Sequence, residues 1–204
     1  MEIQALIRQM PVSDKVVDAI LTRMTWQSDR YKDAARSPEV MVDLLGFKHD
    51  KQTPGRAAAL AAGRQAVAAG DASALLAAWR ALLVEKKKER WFYYFLNGRA
   101  VAQMAPALGI PFWNAAASEA SCTDVDVVAA TWGLPALPGL LARISSAPTE
   151  NLGIALHFGA VELAPIAARA YAKLKSLRGT GREWLRRFPE HAACALIAPA
   201  LGKR

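Results

Sequence analysis

The feature that most constrains this chain is the spacing of its apolar residues. They recur every three or four positions almost from end to end, in stretches rich in alanine and leucine. That spacing places apolar side chains on one face of an α-helix, whereas a half-buried β-strand requires alternation of apolar and polar residues. No stretch sustains such alternation. The sequence therefore predicts an all-α protein.

Helix boundaries follow from capping residues and prolines. Ser, Thr and Asp precede several apolar stretches, and their side-chain oxygens can accept hydrogen bonds from first-turn amides. Thr123 and Asp126 have the spacing of a capping box, which indicates a helix start. The pattern predicts thirteen helices, over residues 2–9, 14–25, 38–46, 55–69, 72–87, 89–104, 111–119, 124–132, 136–145, 149–157, 160–177, 180–187 and 189–201.

Short helices joined by short turns are typical of helical hairpins stacked in sequence, the arrangement of an α-solenoid. A chain of 204 residues is long enough to bury a core of its own, so we predict a single α-helical domain over 1–204. The stretch FKHDKQTPG, residues 47–55, resembles a linker. Within that domain, residues 1–50 are a candidate N-terminal helical cap, followed by an array of hairpins over 55–204.

Three stretches between residues 120 and 203 carry a resemblance to a known family: VVAATWGLPALPGLLARI, ALHFGAVELAPIAARAYAKLKSLR and REWLRRFPEHAACALIAPALGK. They resemble the HEAT-like helical region of large bacterial proteins that combine a domain of unknown function with a WGR domain, often labelled molybdate-metabolism-regulator-like. The resemblance implies a HEAT-like α-solenoid and no reaction mechanism. Chains of that family are far longer, and no WGR sequence is present here, so the remainder of a longer chain is one expected partner.

The net charge of +8 is concentrated in two blocks. Residues 51–100 hold nine basic and three acidic residues, and residues 151–204 hold the same numbers. Such blocks attract phosphates or acidic protein surfaces, although they also occur on ordinary solvated helix faces. The candidates for contact with an acidic partner or with phosphates are Lys86, Lys87, Lys88, Arg90, Arg169, Lys173, Arg182 and Arg186.

Residues 181–203 have the layout of a DNA-reading helix-turn-helix, with a basic helix, a Phe-Pro break and a second helix. A reading helix has to present polar side chains to base edges. This second helix offers Glu190 and His191 at its start and only apolar side chains after them. Base readout is therefore excluded, and we expect Leu196 and Ile197 to be buried against the preceding helices.

Enzyme motifs are missing from the sequence. It contains no nucleophile elbow, phosphate loop, zinc-protease motif or dinucleotide glycine pattern. Cys122 and Cys194 lie 72 residues apart in the sequence, and we expect buried free thiols. We accordingly predict no enzyme activity, no cofactor and no metal. The enzymatic alternative is a base-excising enzyme, for which Asp124, Trp113 and Trp132 are the nearest candidates.

The leading functional prediction is a non-enzymatic scaffold or adaptor that binds a protein partner through a concave helical surface. The alternative is sequence-nonspecific nucleic-acid binding, which requires the two basic blocks to converge on one face. Aromatic residues 91–95 beside the first block add to that alternative, because bases stack on aromatic rings. The start of the chain lacks signal-peptide features, and the uncharged run 100–118 contains two prolines, so we expect a cytoplasmic protein without a membrane span.

Overall fold

The structure is a computed structural model that describes residues 53–87 and 95–200, together with Leu45 and Gly202. The helices expected over 2–9 and 14–25, most of the one expected over 38–46, and residues 91–94 lie outside the described residues. The chain divides into two compact units, Met1–Leu140 and Leu141–Arg204. The single domain over 1–204, the cap over 1–50 and the array over 55–204 stay predictions.

The described residues are mostly helical, which confirms the all-α prediction. The elements of the first unit are α1 (Pro54–Ala69), α2 (Ala72–Lys87), β1 (Phe95–Asn97), α3 (Gly98–Ala102), α4 (Pro106–Ala116), β2 (Ser121–Thr123) and α5 (Val125–Trp132). The boundary between the units lies within α6 (Leu137–Ser146). The second unit contains α7 (Pro148–Ala155), α8 (Ala164–Lys173), α9 (Arg178–Arg187) and α10 (Pro189–Ala200). Single 3-10 turns precede α6, α8 and α9, at Leu134–Ala136, Val161–Leu163 and Lys175–Leu177.

The first two helices begin and end at the residues that the sequence indicates. The Thr53 hydroxyl accepts a hydrogen bond from the Arg56 amide at 3.2 Å and caps α1. Gly70 ends that helix with a φ of 68°, a left-handed conformation that glycine adopts without steric cost. The Asp71 carboxylate then accepts from two first-turn amides of α2, each at 2.9 Å. Local capping therefore accounts for the start and the end of α1 and for the start of α2.

Buried aromatic rings form the core of the first unit, where α2 packs against α1 and α4. The rings of Trp79 and Phe112 meet edge to face with their centroids 5.9 Å apart, a favourable geometry for aromatic pairs. Trp113 is also fully buried, and its indole N–H donates to the Ala136 carbonyl at 3.1 Å. A Cβ on Gly139 would lie 2.4 Å from Nε1 of Trp113, so the absence of a side chain there makes room for the indole.

Two short strands interrupt the helices of the first unit. β1 pairs in parallel with β2, with Leu96 opposite Cys122. The helix predicted over 89–104 is therefore wrong at residues 95–97, and only Gly98–Ala102 is helical after them. The pairing joins segments about 26 residues apart, so it leaves no trace in the local spacing of apolar residues.

The uncharged run 100–118 is divided between two helices. α3 ends at Ala102, and α4 begins at Pro106. Across the described ranges, no helix has both the length and the apolarity needed to cross a membrane.

Close backbone contact holds α8 and α9 together in the second unit. A Cβ on Gly181 would lie 2.5 Å from the Ala167 carbonyl oxygen and 2.7 Å from the Tyr171 amide nitrogen. The helices therefore cross where glycine of α9 meets small residues of α8. Beside this crossing, Trp184 is buried, and its indole N–H donates to the Phe158 carbonyl at 3.0 Å.

The single helix predicted over 160–177 is wrong, because its two ends are 3-10 turns and α8 stops at Lys173. Leu174 has an extended backbone, with φ of −109° and ψ of 97°. Tyr171, in the last turn of α8, is 45% exposed. The extended residue separates α8 from α9 and creates the link over residues 174–177.

The last helix, α10, matches its predicted position but not its predicted burial. Ile197 is 57% exposed, and Leu196 is half-buried. Cys194 is exposed and Cys122 is half-buried, so the expectation that both are buried is wrong. α10 packs against α8 and α9, and these contacts leave one side of the helix open to solvent within the described part of the second unit.

Candidate interaction surface

The four predicted cationic residues of the second unit are exposed. Arg169 and Lys173 lie four residues apart on α8, and Arg182 and Arg186 have the same spacing on α9. This spacing places both members of a pair on one face of their helix. None of the four forms an ion pair with another described residue. We refer to these four residues as the cationic face.

Charge in the second unit is strongly unbalanced. Between residues 141 and 200 the sequence holds eight Arg and Lys but four Glu. One of the eight, Arg143, is buried at 5% exposure. Another, Arg178, donates from Nε to the Tyr171 carbonyl at 3.2 Å, which ties the start of α9 to the end of α8. The excess of basic over acidic residues creates a positive potential that favours anionic partners.

The first basic block is described only in part. Lys86 and Lys87 occupy the last turn of α2, and their side chains lie outside the described residues. Lys88 and Arg90 lie outside the described residues altogether. These four residues belong to the first unit and the cationic face to the second. Convergence of the two blocks stays a prediction.

An open groove of about 630 Å³ lies between the start of α7 and the link that follows α8. Its lining residues are Pro148, Thr149 and residues 173–177. Leu177 is buried and Leu174 half-buried, whereas Lys173 and Lys175 are exposed. We call this feature the α7–α8 groove. Sequence reasoning missed Lys175 because it placed residues 160–177 in one continuous helix, although the alternation of lysine and leucine at 173–175 was a visible signal.

His157 lies in the turn after α7, where neighbouring groups oppose its protonation. Burial lowers the pKa of His157 below its ordinary value, and the positive charge of Arg187 lowers it further, while Glu183 raises it. The Nδ1 atom is buried without a hydrogen-bond partner. The second histidine of this unit, His191, packs edge to face on Phe188, with ring centroids 6.0 Å apart. Both histidines are therefore packing residues in this unit.

Two acidic residues of the first unit, Glu119 and Asp124, pair with arginines. Glu119 accepts from Nε of Arg80 at 3.0 Å on the surface, and this hydrogen bond raises the pKa of Arg80. Asp124 accepts from Nε of Arg99 at 2.8 Å in a partly buried ion pair. Among the described residues, no group of three His, Cys, Asp or Glu side chains is arranged to hold a metal ion.

Two sequence predictions around Asp124 are corrected by its geometry. Asp124, not Thr123, is the N-cap of α5, and its side chain makes no capping bond, so the predicted capping box is wrong. Asp124 has a φ of 51°, a left-handed conformation that Asp tolerates better than most residues. The acid and aromatics proposed for base excision do not form an open cleft, because Trp113 is fully buried and Asp124 pairs with Arg99.

Comparison with known proteins gives a distant relative. The chain is 32% identical over 137 residues, 65% of its length, to the uncharacterized protein YehI of Escherichia coli (strain K12). The matched segment is 11% of that protein, so the chain spans a small part of the curated relative's length. No family model and no solved structure matches the chain. The chain is thus similar to a segment of a much longer protein.

Proposed function

We propose that this chain is a non-enzymatic helical adaptor module that binds an acidic protein partner through the cationic face. The carrying observation is that Arg169, Lys173, Arg182 and Arg186 are exposed and form no ion pair with another described residue. Cations that are already paired gain little from a partner's carboxylates. Unpaired cations on neighbouring helices can each form a new charge-assisted contact.

The rigidity of the supporting hairpin favours this role. The close approach at Gly181 and the bond from Arg178 to the Tyr171 carbonyl hold α8 and α9 in one arrangement. Cations mounted on such a hairpin lose little conformational freedom on binding beyond that of their own side chains. Preorganisation of this kind strengthens binding without enlarging the interface.

The proposal includes the finer fold assignment, a HEAT-like α-solenoid, and a cytoplasmic location. In the second unit α7 packs against α9, and α8 packs against α9 and α10, so these helices contact partners one or two helices away along the chain, which supports stacked hairpins. Similarity to 11% of a much longer relative supports a module that works beside other segments or partners. Membership of the WGR-associated family is part of the same proposal.

The test measures binding of fluorescently labelled poly-L-glutamate to the full chain at about 50 mM and about 150 mM NaCl, a range over which screening of exposed charges changes. The variant R169E/R182E/R186E reverses three cations, and R169K/R182K/R186K retains them. We expect the reversal to weaken binding at least about tenfold at low salt, about 1.4 kcal/mol, and the lysine variant to bind within about threefold of the wild type. Absence of wild-type binding at low salt overturns the proposal.

Sequence-nonspecific nucleic-acid binding is the second candidate, because the same exposed cations can contact backbone phosphates. If all four contact phosphates of a random-sequence duplex, the logarithm of the binding constant falls with the logarithm of salt concentration with a slope of about −3.6. Duplex binding with that slope, combined with no binding of poly-L-glutamate, would replace the adaptor by a nucleic-acid-binding module. Binding of poly-L-glutamate without duplex binding would exclude this second candidate.

A further inference from the structure

We infer that the α7–α8 groove binds an acidic peptide segment that carries an apolar side chain between its carboxylates. This inference rests on the proposed adaptor function and assigns it a specific site and a specific class of ligand. The groove combines apolar lining residues with two exposed lysines, and all of its lining belongs to the second unit.

The apolar part of the ligand is indicated by the least exposed lining residues. Leu177 is 8% exposed, and Leu174 and Pro148 are half-buried at the groove. The volume of about 630 Å³ lies within the range of about 300–1,000 Å³ typical of ligand sites. An apolar side chain placed against these three residues would bury surface on both partners. A purely charged ligand would leave them in contact with water.

The acidic part of the ligand is indicated by Lys173 and Lys175, which are exposed at the same groove. Lys173 ends α8, and Leu174, with its extended backbone, separates it from Lys175. The two ammonium groups thus come from different elements. Compact charges on flexible stems suit carboxylates spaced along a peptide.

The start of α7 is poorly suited to a phosphate. Pro148 has no N–H, and the amides of Glu150 and Asn151 both donate to the Ala147 carbonyl, at 3.3 and 3.2 Å. Among these first-turn positions, only the Thr149 amide donates to no backbone carbonyl of the described residues. Positive charge at the groove therefore comes from the lysines and not from a cluster of backbone amides.

Internal contacts hold the lining of the groove. Leu177 is anchored by burial, and its amide donates to the Leu174 carbonyl at 3.0 Å. The bond from Arg178 to the Tyr171 carbonyl closes the link on its other side. The hydroxyls of Thr149 and Ser176 complete the lining. Hydroxyl groups can donate to the carbonyls of an extended peptide, which supports a peptide over a free small anion.

The experiment measures the affinity of the full chain for a fluorescein-labelled peptide, Asp-Glu-Leu-Leu-Asp-Glu, by anisotropy at about 150 mM NaCl, where the screening length is about 8 Å. The variant K173E/K175E reverses two charges at the groove. Its matched control, R80E/R187E, reverses two charges that belong neither to the cationic face nor to the groove lining. We expect the groove variant to weaken binding at least about tenfold and the control to change it less than about threefold. Circular dichroism verifies that both variants are folded.

A second peptide, Asp-Glu-Ser-Ser-Asp-Glu, tests the apolar contact, and we expect it to bind at least about tenfold more weakly than the leucine peptide. Equal losses of affinity in the two charge variants, or equal affinity for both peptides, overturn the assignment of the groove as the peptide site. Binding of poly-L-glutamate would still support the adaptor function in that case. Failure of the wild type to bind any of the three acidic probes overturns both proposals. The alternative outcome is that a random-sequence duplex competes with the leucine peptide and loses affinity to the same extent when Lys173 and Lys175 are reversed. That result would identify a phosphate backbone as the ligand of the groove and would overturn the proposal of a peptide ligand. If K173E/K175E is unfolded, K173A/K175A takes its place with the same expected direction.

Discussion

The crossing of α8 and α9 predicts opposite effects for alanine at two glycines of one helix. In Gly181→Ala the new Cβ meets the Ala167 carbonyl oxygen at 2.5 Å and the Tyr171 amide nitrogen at 2.7 Å. Both contacts are with backbone, so no side-chain rotation relieves them and the helices must separate. Overpacking of this kind costs up to about 3 kcal/mol, against about 1 kcal/mol gained from the better helix propensity of alanine. We expect a net loss of about 2 kcal/mol.

Gly179→Ala is the matched control, because a Cβ at that position has no neighbour within 4 Å. It keeps the propensity gain without the clash, so its free energy of unfolding should rise by up to about 1 kcal/mol. Urea unfolding followed by far-ultraviolet circular dichroism measures both variants, with the slope showing whether the transitions are comparable. A Gly181→Ala protein as stable as the wild type, or as the Gly179→Ala protein, would refute the close crossing of the helices.

Two further predictions concern single polar residues. Because the pKa of His157 is lowered in the folded state, the unfolded state binds a proton more readily, so the free energy of unfolding should fall as pH drops below about 6.5. His157→Asn should reduce that dependence in urea titrations at pH 7.5 and 5.5, and an unchanged profile would contradict the assignment. Asp124→Asn removes the negative charge from beside Arg99, whose side chain is 11% exposed, and should cost about 1–2 kcal/mol. Glu119→Gln, which frees the 55% exposed Arg80, should cost less in the same urea titrations, and an equal or larger cost would contradict this ranking.

Sequence predicts the helices that are fixed by local signals. α1, α2 and α10 start and end within one residue of the expected positions, because capping residues and prolines mark their ends. The pairing of β1 with β2 was missed because it depends on contacts between distant segments. The end of α8 at Lys173 was missed because Leu174 and Leu177 keep a helical apolar spacing across the break.

The sequence predicts which cations of the candidate surface are exposed, but it does not predict the groove beside them. Exposure of Arg169, Lys173, Arg182 and Arg186 follows from the separation of charged and apolar residues around each helix. The groove beside Lys175 requires the extended Leu174, which the helical apolar spacing of Leu174 and Leu177 conceals. Burial of α10 was expected from its apolar composition. An apolar composition indicates that one face of a helix favours burial, but it does not indicate which element packs against that face.

The contact between Gly139 and Trp113 has a consequence for the evolution of this chain. Because a Cβ at position 139 would overlap the indole ring at 2.4 Å, any larger residue there requires a smaller ring or a displaced helix at position 113. A substitution at either position alone is therefore expected to weaken the packing. Descendants of this sequence are therefore expected to keep both residues or to replace both in succession, the ring before the glycine.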